Sequence, residues 1–547
     1  MKKTSLKKIA ALLLAMVMLL GIAACGSTPE NKTPSTPSKA ENKPTSQGGT
    51  ESSDVTPEPE LIRLKGVISE GTPTTADINT LAIWDFAEEA TGVRVDWEVL
   101  PWVSAAEQLS IKFATNDMPD LFFKCVVDSG DITKYANDGM LVPIDEYISD
   151  PAVAPNFSRW MQENEAIGKV IRAADGHYYG FPNLVIAGAS NVSPKVYFNQ
   201  KWLDAQGLSA PTTTDELYEV LTAMKDFDYN ENGEADEIPL SGGSWSNIMA
   251  ALKGSFGLGT RGGYQTYWDI DPDTNELRFM PTTDRYKELL QYLNKLYTEK
   301  LLDQEIFTID ATQLMAKAAQ NVIGIVFTHN DVYMAPYDGD FVAPAGAFVG
   351  PHGDNLYAGI NNAVNAPNTW ITSRNEHVAE TVHFIDYFYS EEGILHYYMG
   401  VEGETFEFGD DGLPYFTEFV TNNPDGLTKE EALARFTIWG NGANPSVADD
   451  IHFGNHLVDA DTVESATNLR KTGPEEIWGG FPYSAEDAEM ISVYETDIIT
   501  YVDDMTPKFV TGEVSFDEWD NFVATIERMD LAGYYELVQR AVDNYNK

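Results

Sequence analysis

Between Asp228 and Pro239 the chain reads Asp-Tyr-Asn-Glu-Asn-Gly-Glu-Ala-Asp-Glu-Ile-Pro. Oxygen-bearing side chains stand at positions 1, 3 and 5, with glycine at position 6. Alternate side chains then point into one concavity and the glycine permits a sharp turn, as in the first half of an EF-hand loop. Glu234, next along, offers a backbone carbonyl. The bidentate glutamate that closes an EF-hand is absent, because Pro239 occupies its place. Asp236 and Glu237 supply carboxylates instead. A hard cation wanting about 6–8 oxygens would take Asp228, Asn230, Asn232, the Glu234 carbonyl, Asp236 and Glu237. The competing reading is a polar helix-to-strand turn, since Asp, Asn and Gly make turns without an ion. Spacing alone leaves both open.

Catalytic patterns carry less. A glycoside hydrolase needs two carboxylates at a set separation, but among 85 acidic residues a pair can always be found. His452 and His456 have a spacing that zinc ligands use, yet Phe453-Gly454 argues against the helix that such a pair needs. No Gly-x-Ser-x-Gly elbow or phosphate-binding loop occurs. Cys125 lies in an apolar strand pattern and is a poor nucleophile. The expectation is a protein that is not an enzyme, with a secreted polysaccharide-active enzyme as the alternative.

The elements that must position these residues follow from pattern. Leu61–Ile68 and Val93–Val99 read as strands, with an amphipathic helix through Leu81, Ile83, Trp84 and Phe86 between them. A helix through Leu109 and Phe113, a turn at Asp117–Asp120 and a buried strand Leu121–Val127 complete a β-α-β-α-β run. Its strands should be parallel, with binding loops at their carboxyl ends. Asp175-Gly176 predicts a hairpin. Thr213 and Glu216 have capping-box spacing ahead of Leu217, Val220, Leu221 and Met224. Two amphipathic helices, through Tyr494–Phe509 and Trp519–Ile526, end the chain. Alternating strand and helix signals make this an α/β protein, and 487 residues after the tether exceed one core.

Composition narrows the class. The chain has 547 residues, a formal net charge of −49 and 12% aromatic content. The aromatics exclude wholesale disorder, and the charge excludes a phosphate-neutralising nucleic-acid binder. Residues 1–24 form a secretory signal: four lysines, an apolar run, then Ile22-Ala23-Ala24 before Cys25. The exit resembles a bacterial lipobox, which implies that Cys25 carries the lipid and becomes the new N-terminus. Residues 25–60 are Ser/Thr/Pro/Glu-rich and cannot bury enough surface to fold, so they should form a tether. Two acyl chains suffice for stable anchoring. The expected location is the extracellular face of the bacterial cell membrane. With Cys25 acylated, Cys125 should remain a reduced, buried thiol.

The loop and its flanks also carry a resemblance. Tyr197-Phe-Asn-Gln-Lys-Trp-Leu-Asp204, Gly207-Leu208, Pro211-Thr-Thr213 and the Asp228 loop resemble the extracellular solute-binding proteins of family 1. They look most like the lipoprotein branch that includes alginate-oligosaccharide-binding proteins. Thr91-Gly92-Val93, Asp117-Met-Pro-Asp120, Asp175-Gly176 with Tyr179-Gly180 and Pro182, Asp386–Gly393 and Gly400–Gly403 extend the likeness over nearly all of 61–547. The resemblance implies a two-lobe periplasmic-binding-protein-like fold of type II, lobes joined by hinge crossings. It implies closure on a carbohydrate, an oligosaccharide, delivered by a monomer to the permease subunits of an ABC transporter. It also implies structural calcium on the six loop residues named above. The family commonly has proline after the first aspartate; here Tyr229 stands there. Lobe 1 is expected at 61–190 and 335–395, lobe 2 at 191–334 and 396–547. Sugar clefts use aromatic faces and polar side chains on loops after strands. That selects Trp245, Trp439 and Trp478 beside glycines, His329 and Asn330 after the strand Val322–Phe327, and Asp120 and Asp128 flanking Leu121–Val127. Trp84, Trp202 and Trp519, in helical patterns, are expected in the core.

Overall fold

Strands form where branched and aromatic side chains alternate or run together, and their pairing sets the architecture. The structure is a computed structural model that describes residues 61–71, 76–127, 129–438, 445–453 and 460–547. The signal, Cys25, the tether, Asp128, Trp439 and His456 lie outside the described residues. β1 (Ile62–Glu70), β2 (Val93–Pro101) and β3 (Leu121–Phe123) pair in parallel in the order β3-β1-β2, and the helices Ala82–Thr91 and Ala105–Thr115 connect them. This is the β-α-β-α-β run expected from sequence. β3 stops earlier than expected, because Lys124 turns to a left-handed φ of 57°. The chain then adds β4 (Gly180–Val185) to this sheet and leaves it.

A second sheet begins with β5 (Lys195–Asn199) and continues with β6 (Ile238–Gly242). A small hairpin, β7 (Trp268–Ile270) and β8 (Leu277–Phe279), stands apart. β9 (Ile323–Thr328) pairs parallel to β6 and antiparallel to β5, and β10 (Phe341–Val342) completes the order β10-β5-β9-β6. The chain returns as β11 (Val364–Ile371), inserts a hairpin of β12 (Phe406–Phe408) and β13 (Pro414–Phe416), and ends its strands at β14 (Val447–Ala448). The first sheet is therefore β14-β4-β11-β3-β1-β2. Two α/β lobes, each with its own sheet, make the fold.

Trp84, Trp97, Phe123, Phe384 and Phe388 pack together beneath the first sheet. Leu217, Leu221, Leu240, Leu289, Leu293 and Ile325 are all fully buried around the second. Trp84, Trp202 and Trp519 are core residues, 2%, 1% and 3% exposed, as their helical patterns indicated. Between strands the chain crosses from sheet to sheet at 186–194 and 343–363, and after β14 it returns to the second sheet, where the helix Ala460–Arg470 bonds to β5 through Ser465. The first two crossings are bonded to each other, Asn361 N to Asn191 O at 2.8 Å and Ser193 N to Gly359 O at 2.8 Å, and the end of β4 joins them through Val185 N to Ala363 O at 2.7 Å. No helix among the described residues is long and apolar enough to cross a membrane.

Candidate functional site

The second sheet places three chain ends at one edge. β6 and β9 finish there, and β5 begins there, because Lys195 pairs with Thr328. A cavity of about 560 Å³ opens at this edge, within the range of about 300–1,000 Å³ typical of small-molecule sites. After β6, Gly243 and Ser244 turn the chain, and Ser244 caps the helix Trp245–Leu252. Trp245 and Asn247 on its first turn line the cavity. After β9 comes His329, whose Nδ1 lies 2.6 Å from Ser193 Oγ. The Lys195 ammonium donates to the carbonyls of His329 at 2.7 Å and Val192 at 2.9 Å, which fixes this corner.

The opposite wall comes from distant sequence. Tyr267 precedes β7, Tyr286 lies on the helix Asp284–Thr298, and Asp503 and Thr506 lie on the helix Thr500–Thr511. The Tyr267 hydroxyl donates to Asp503 Oδ1. Burial, reinforced by that carboxylate, pushes the phenol well above its usual range. Burial, with a smaller push from the Asp503 carboxylate, raises Tyr286 to about 12, against its hydrogen bond with Thr506. Both phenols are therefore neutral donors and acceptors at ordinary pH. Trp245, Met249, Leu258 and Met280 give the cavity a largely apolar wall, and the carboxylate of Asp503 and the amides of Asn247 and Asn361 add polar groups. Such a wall suits the C–H face of a polyhydroxylated ring, and the polar groups suit its hydroxyls.

A second cavity, of about 230 Å³, is lined by first-sheet residues and by the segments 264–265 and 480–483. Tyr179, Pro367 and Trp370 contribute from the first sheet, and Tyr264, Phe481 and Tyr483 from the other side. Thr133 Oγ donates to Tyr483 O at 3.1 Å and Gln265 Nε2 to Gly479 O at 3.0 Å. Residues 263–267 thus run between the two cavities. At the carboxyl edge of the first sheet, Lys124 reaches across β1 to Glu70 at 3.0 Å and to the Ile438 carbonyl at 2.6 Å. This buried pair ties two strand ends together.

The loop Asp228–Glu237 closes on itself. Asp228 accepts from Asn232 N at 3.1 Å and Gly233 N at 2.9 Å, and Asn232 Oδ1 accepts from Glu234 N at 2.7 Å. Gly233 takes a φ of 79°, which gives the sharp turn. Asn232 Nδ2 donates to Asp236 Oδ2 at 3.0 Å, and Glu237 accepts from Tyr229 N at 2.9 Å. Asp236 Oδ1 is buried without a hydrogen-bond partner among the described residues. That orphaned oxygen and the spare lone pairs of the others fit a hard cation. No group of three or more His, Cys, Asp or Glu placed to hold a metal occurs among the described residues, so asparagine and carbonyl oxygens would have to complete any such set. Tyr229, in the family's proline position, stacks on Trp202 with ring centroids 3.8 Å apart at 3°. The loop is anchored by that ring.

The model of the bacterial extracellular solute-binding protein family matches residues 70–394. The chain belongs to that family. This solute-binding protein is 26% identical, over its whole length and 99% of the relative, to the fructooligosaccharide ABC transporter substrate-binding protein FusA of Streptococcus pneumoniae. Among solved structures, an EF-hand mutant of S. pneumoniae FusA in complex with fructo-nystose has a TM-score of 0.68 at 23% identity, covering 88% of this chain and 99% of that one. An HMO-binding, ABC-transporter-associated solute-binding protein from Bifidobacterium longum infantis has a TM-score of 0.74 at 18% identity, covering 90% and 100%.

Within this solute-binding protein the residues selected from sequence separate. Trp245 and His329 meet in the larger cavity. Trp245 stands on the first turn of a helix rather than on a loop, half-buried and packed on Phe307 at 4.7 Å. Asn330 caps a short turn outside the cavity lining, its Oδ1 without a partner among the described residues. Trp478 is 1% exposed and packs on Phe481 and the Arg261 guanidinium, so neither face is open. Asp120 stands at the amino end of β3, accepting from Lys65 N at 2.7 Å, and so lies at the edge away from the binding loops. Sequence reading missed Tyr267, Tyr286, Lys253 and Asp503. Each comes from a separate element, and no local spacing links them.

Proposed function

We propose that this is the lipid-anchored substrate-binding component of an ABC importer, taking an oligosaccharide by lobe closure and passing it to the membrane permease. The observation that carries it is the 560 Å³ cavity pairing Trp245 with Asp503, Tyr267, Asn247 and Asn361 at the carboxyl edge of β6 and β9. The fructooligosaccharide named for its full-length relative supports the ligand class. Trp245 and His329 are the proposed ligand contacts from sequence. Trp439 and Asp128 keep that role as proposals. The chemistry is binding, with no bond broken, so the protein is not an enzyme in this reading.

Residues 1–24 act as the signal, Cys25 carries the lipid, and 25–60 tether a monomeric body at the outer face of the cell membrane. The lobes divide near 61–190 with 335–395 and 191–334 with 396–547. β10 pairs with β5 in the second sheet and β14 with β4 in the first, which moves the proposed bounds from 335 to beyond Val342 and from 395 to beyond Ala448. Asp228, Asn230, Asn232, Glu234, Asp236 and Glu237 would hold calcium, whose contribution is to pin the turn between the helix Thr214–Lys225 and β6. The EF-hand named in the FusA structure supports this. Isothermal titration against a panel of oligosaccharides tests the function. Saturable binding to at least one is expected. Binding to a peptide or metal complex with none to any glycan would remove it.

A further inference from the structure

The larger cavity is lined by a largely buried lysine whose amine meets no acceptor among the described residues. Lys253 follows the helix Trp245–Leu252, lines the cavity and is 6% exposed. It is the one Lys or Arg among the described lining residues. Its Nζ makes no hydrogen bond or ion pair among the described residues. The carboxylate that acts on it through space is Asp269. That carboxylate is already saturated: Arg278 Nε and Nη2 donate to it at 2.8 and 2.7 Å, and Gly259 N and Thr260 N at 2.8 and 3.3 Å. The lysine stem packs on the backbone at Gly259: a Cβ added there would fall 2.7 Å from Lys253 Cε.

An ammonium on a largely buried stem, opening onto a cavity with no protein acceptor among the described residues, is poorly solvated, and the cavity is completed by whatever supplies that acceptor. The neighbouring groups say what that is. Asp503 lines the same cavity, and the whole chain carries a net charge of −49. A ligand carboxylate would satisfy the amine but face Asp503 and this field. Sugar hydroxyls both accept and donate, so a polyhydroxylated ligand can satisfy the amine with one oxygen and the carboxylate with another.

Resting on the oligosaccharide reading above, we propose that Lys253 is a specificity-determining contact that donates to an oxygen of a neutral glycan. Burial holds the amine down to about 8 against the weak pull of Asp269, as befits a group still lacking its acceptor.

The test is isothermal titration of wild type and Lys253→Met with neutral inulin-type, malto- and xylo-oligosaccharides and with anionic galacturonate oligomers. Wild type should bind a neutral member. Lys253→Met should weaken it roughly ten- to a hundredfold, the range for a charge-assisted hydrogen bond, while its melting temperature holds or rises. Lys253→Gln, which keeps an N–H donor, should recover part of the affinity. Unchanged affinity in Lys253→Met overturns the inference while leaving the function intact, as does a preference for the galacturonates. No glycan binding by wild type overturns both. If Lys253→Met does not fold, acetylation of wild type with and without glycan, read by mass spectrometry, decides: Lys253 should be shielded by ligand, and equal labelling overturns the contact.

Discussion

Trp245 and Trp478 share one local signature, a tryptophan within two residues of a pair of glycines, and end in opposite environments. Gly242 and Gly243 turn the chain out of β6 and deliver Trp245 to a cavity wall. Gly479 instead allows close packing: a Cβ there would sit 2.6 Å from Val170 Cγ2. Small neighbours therefore mark either an exposed ring or a tightly packed one, and only tertiary structure separates them. Trp245→Ala should weaken glycan binding by about 2 kcal/mol, roughly thirtyfold; titration calorimetry reads it, and an unchanged Kd would place the sugar elsewhere. Lys253 was invisible for a different reason, since a lone lysine after a helix carries no pattern. Its amine falls from an ordinary 10.5 to about 8 on folding. Between those values the unfolded chain holds a proton that the folded chain releases, so this group makes stability rise with pH from about 8 to about 10.5. Denaturation midpoints of wild type minus Lys253→Met should accordingly climb across pH 8–10. A flat difference would show that the amine is not desolvated.

At the level of elements, hydrophobic pattern gave the β1–β3 unit and the buried helix faces correctly, because one-sided burial imposes a period that local sequence records. It overextended β3, because a backbone reversal at Lys124 depends on a partner, Glu70, 54 residues away. That pair is buried, with side-chain exposures of 0% and 7%. Lys124→Met would leave the Glu70 carboxylate buried without its ammonium. The expected loss is about 3–5 kcal/mol by chemical denaturation, with most of it restored in Lys124→Met/Glu70→Gln. The Asp228 loop was legible in residue type, but its anchorage through Tyr229 on Trp202 was not. If calcium occupies it, EDTA should lower the melting temperature, by a linkage worth roughly 2.7 kcal/mol when the ion stands at a hundred times its Kd. Asp228→Ala should show the lower value and no response to EDTA; identical melting curves with and without chelator would defeat the calcium site.

Over the whole molecule, motif order pointed to two lobes, and the two sheets supply them. The cavity walls were not legible, since Trp245, Tyr267, Tyr286 and Asp503 converge from segments up to 258 residues apart that share no periodicity. If ligand bridges the lobes, small-angle scattering should give a smaller radius of gyration with saturating glycan than without, and equal values at proven saturation would argue against closure. The route of that motion is constrained by the crossings 186–194 and 343–363, which two backbone hydrogen bonds lace together and a third, from Val185 at the end of β4, anchors. A pair of laced segments behaves as a flat flexure: it bends readily across its face and resists shear within its plane. The halves would therefore swing like the covers of a book on one spine. Groups that meet when the book shuts would meet in the same alignment each time, with no guidance from the guest between the pages.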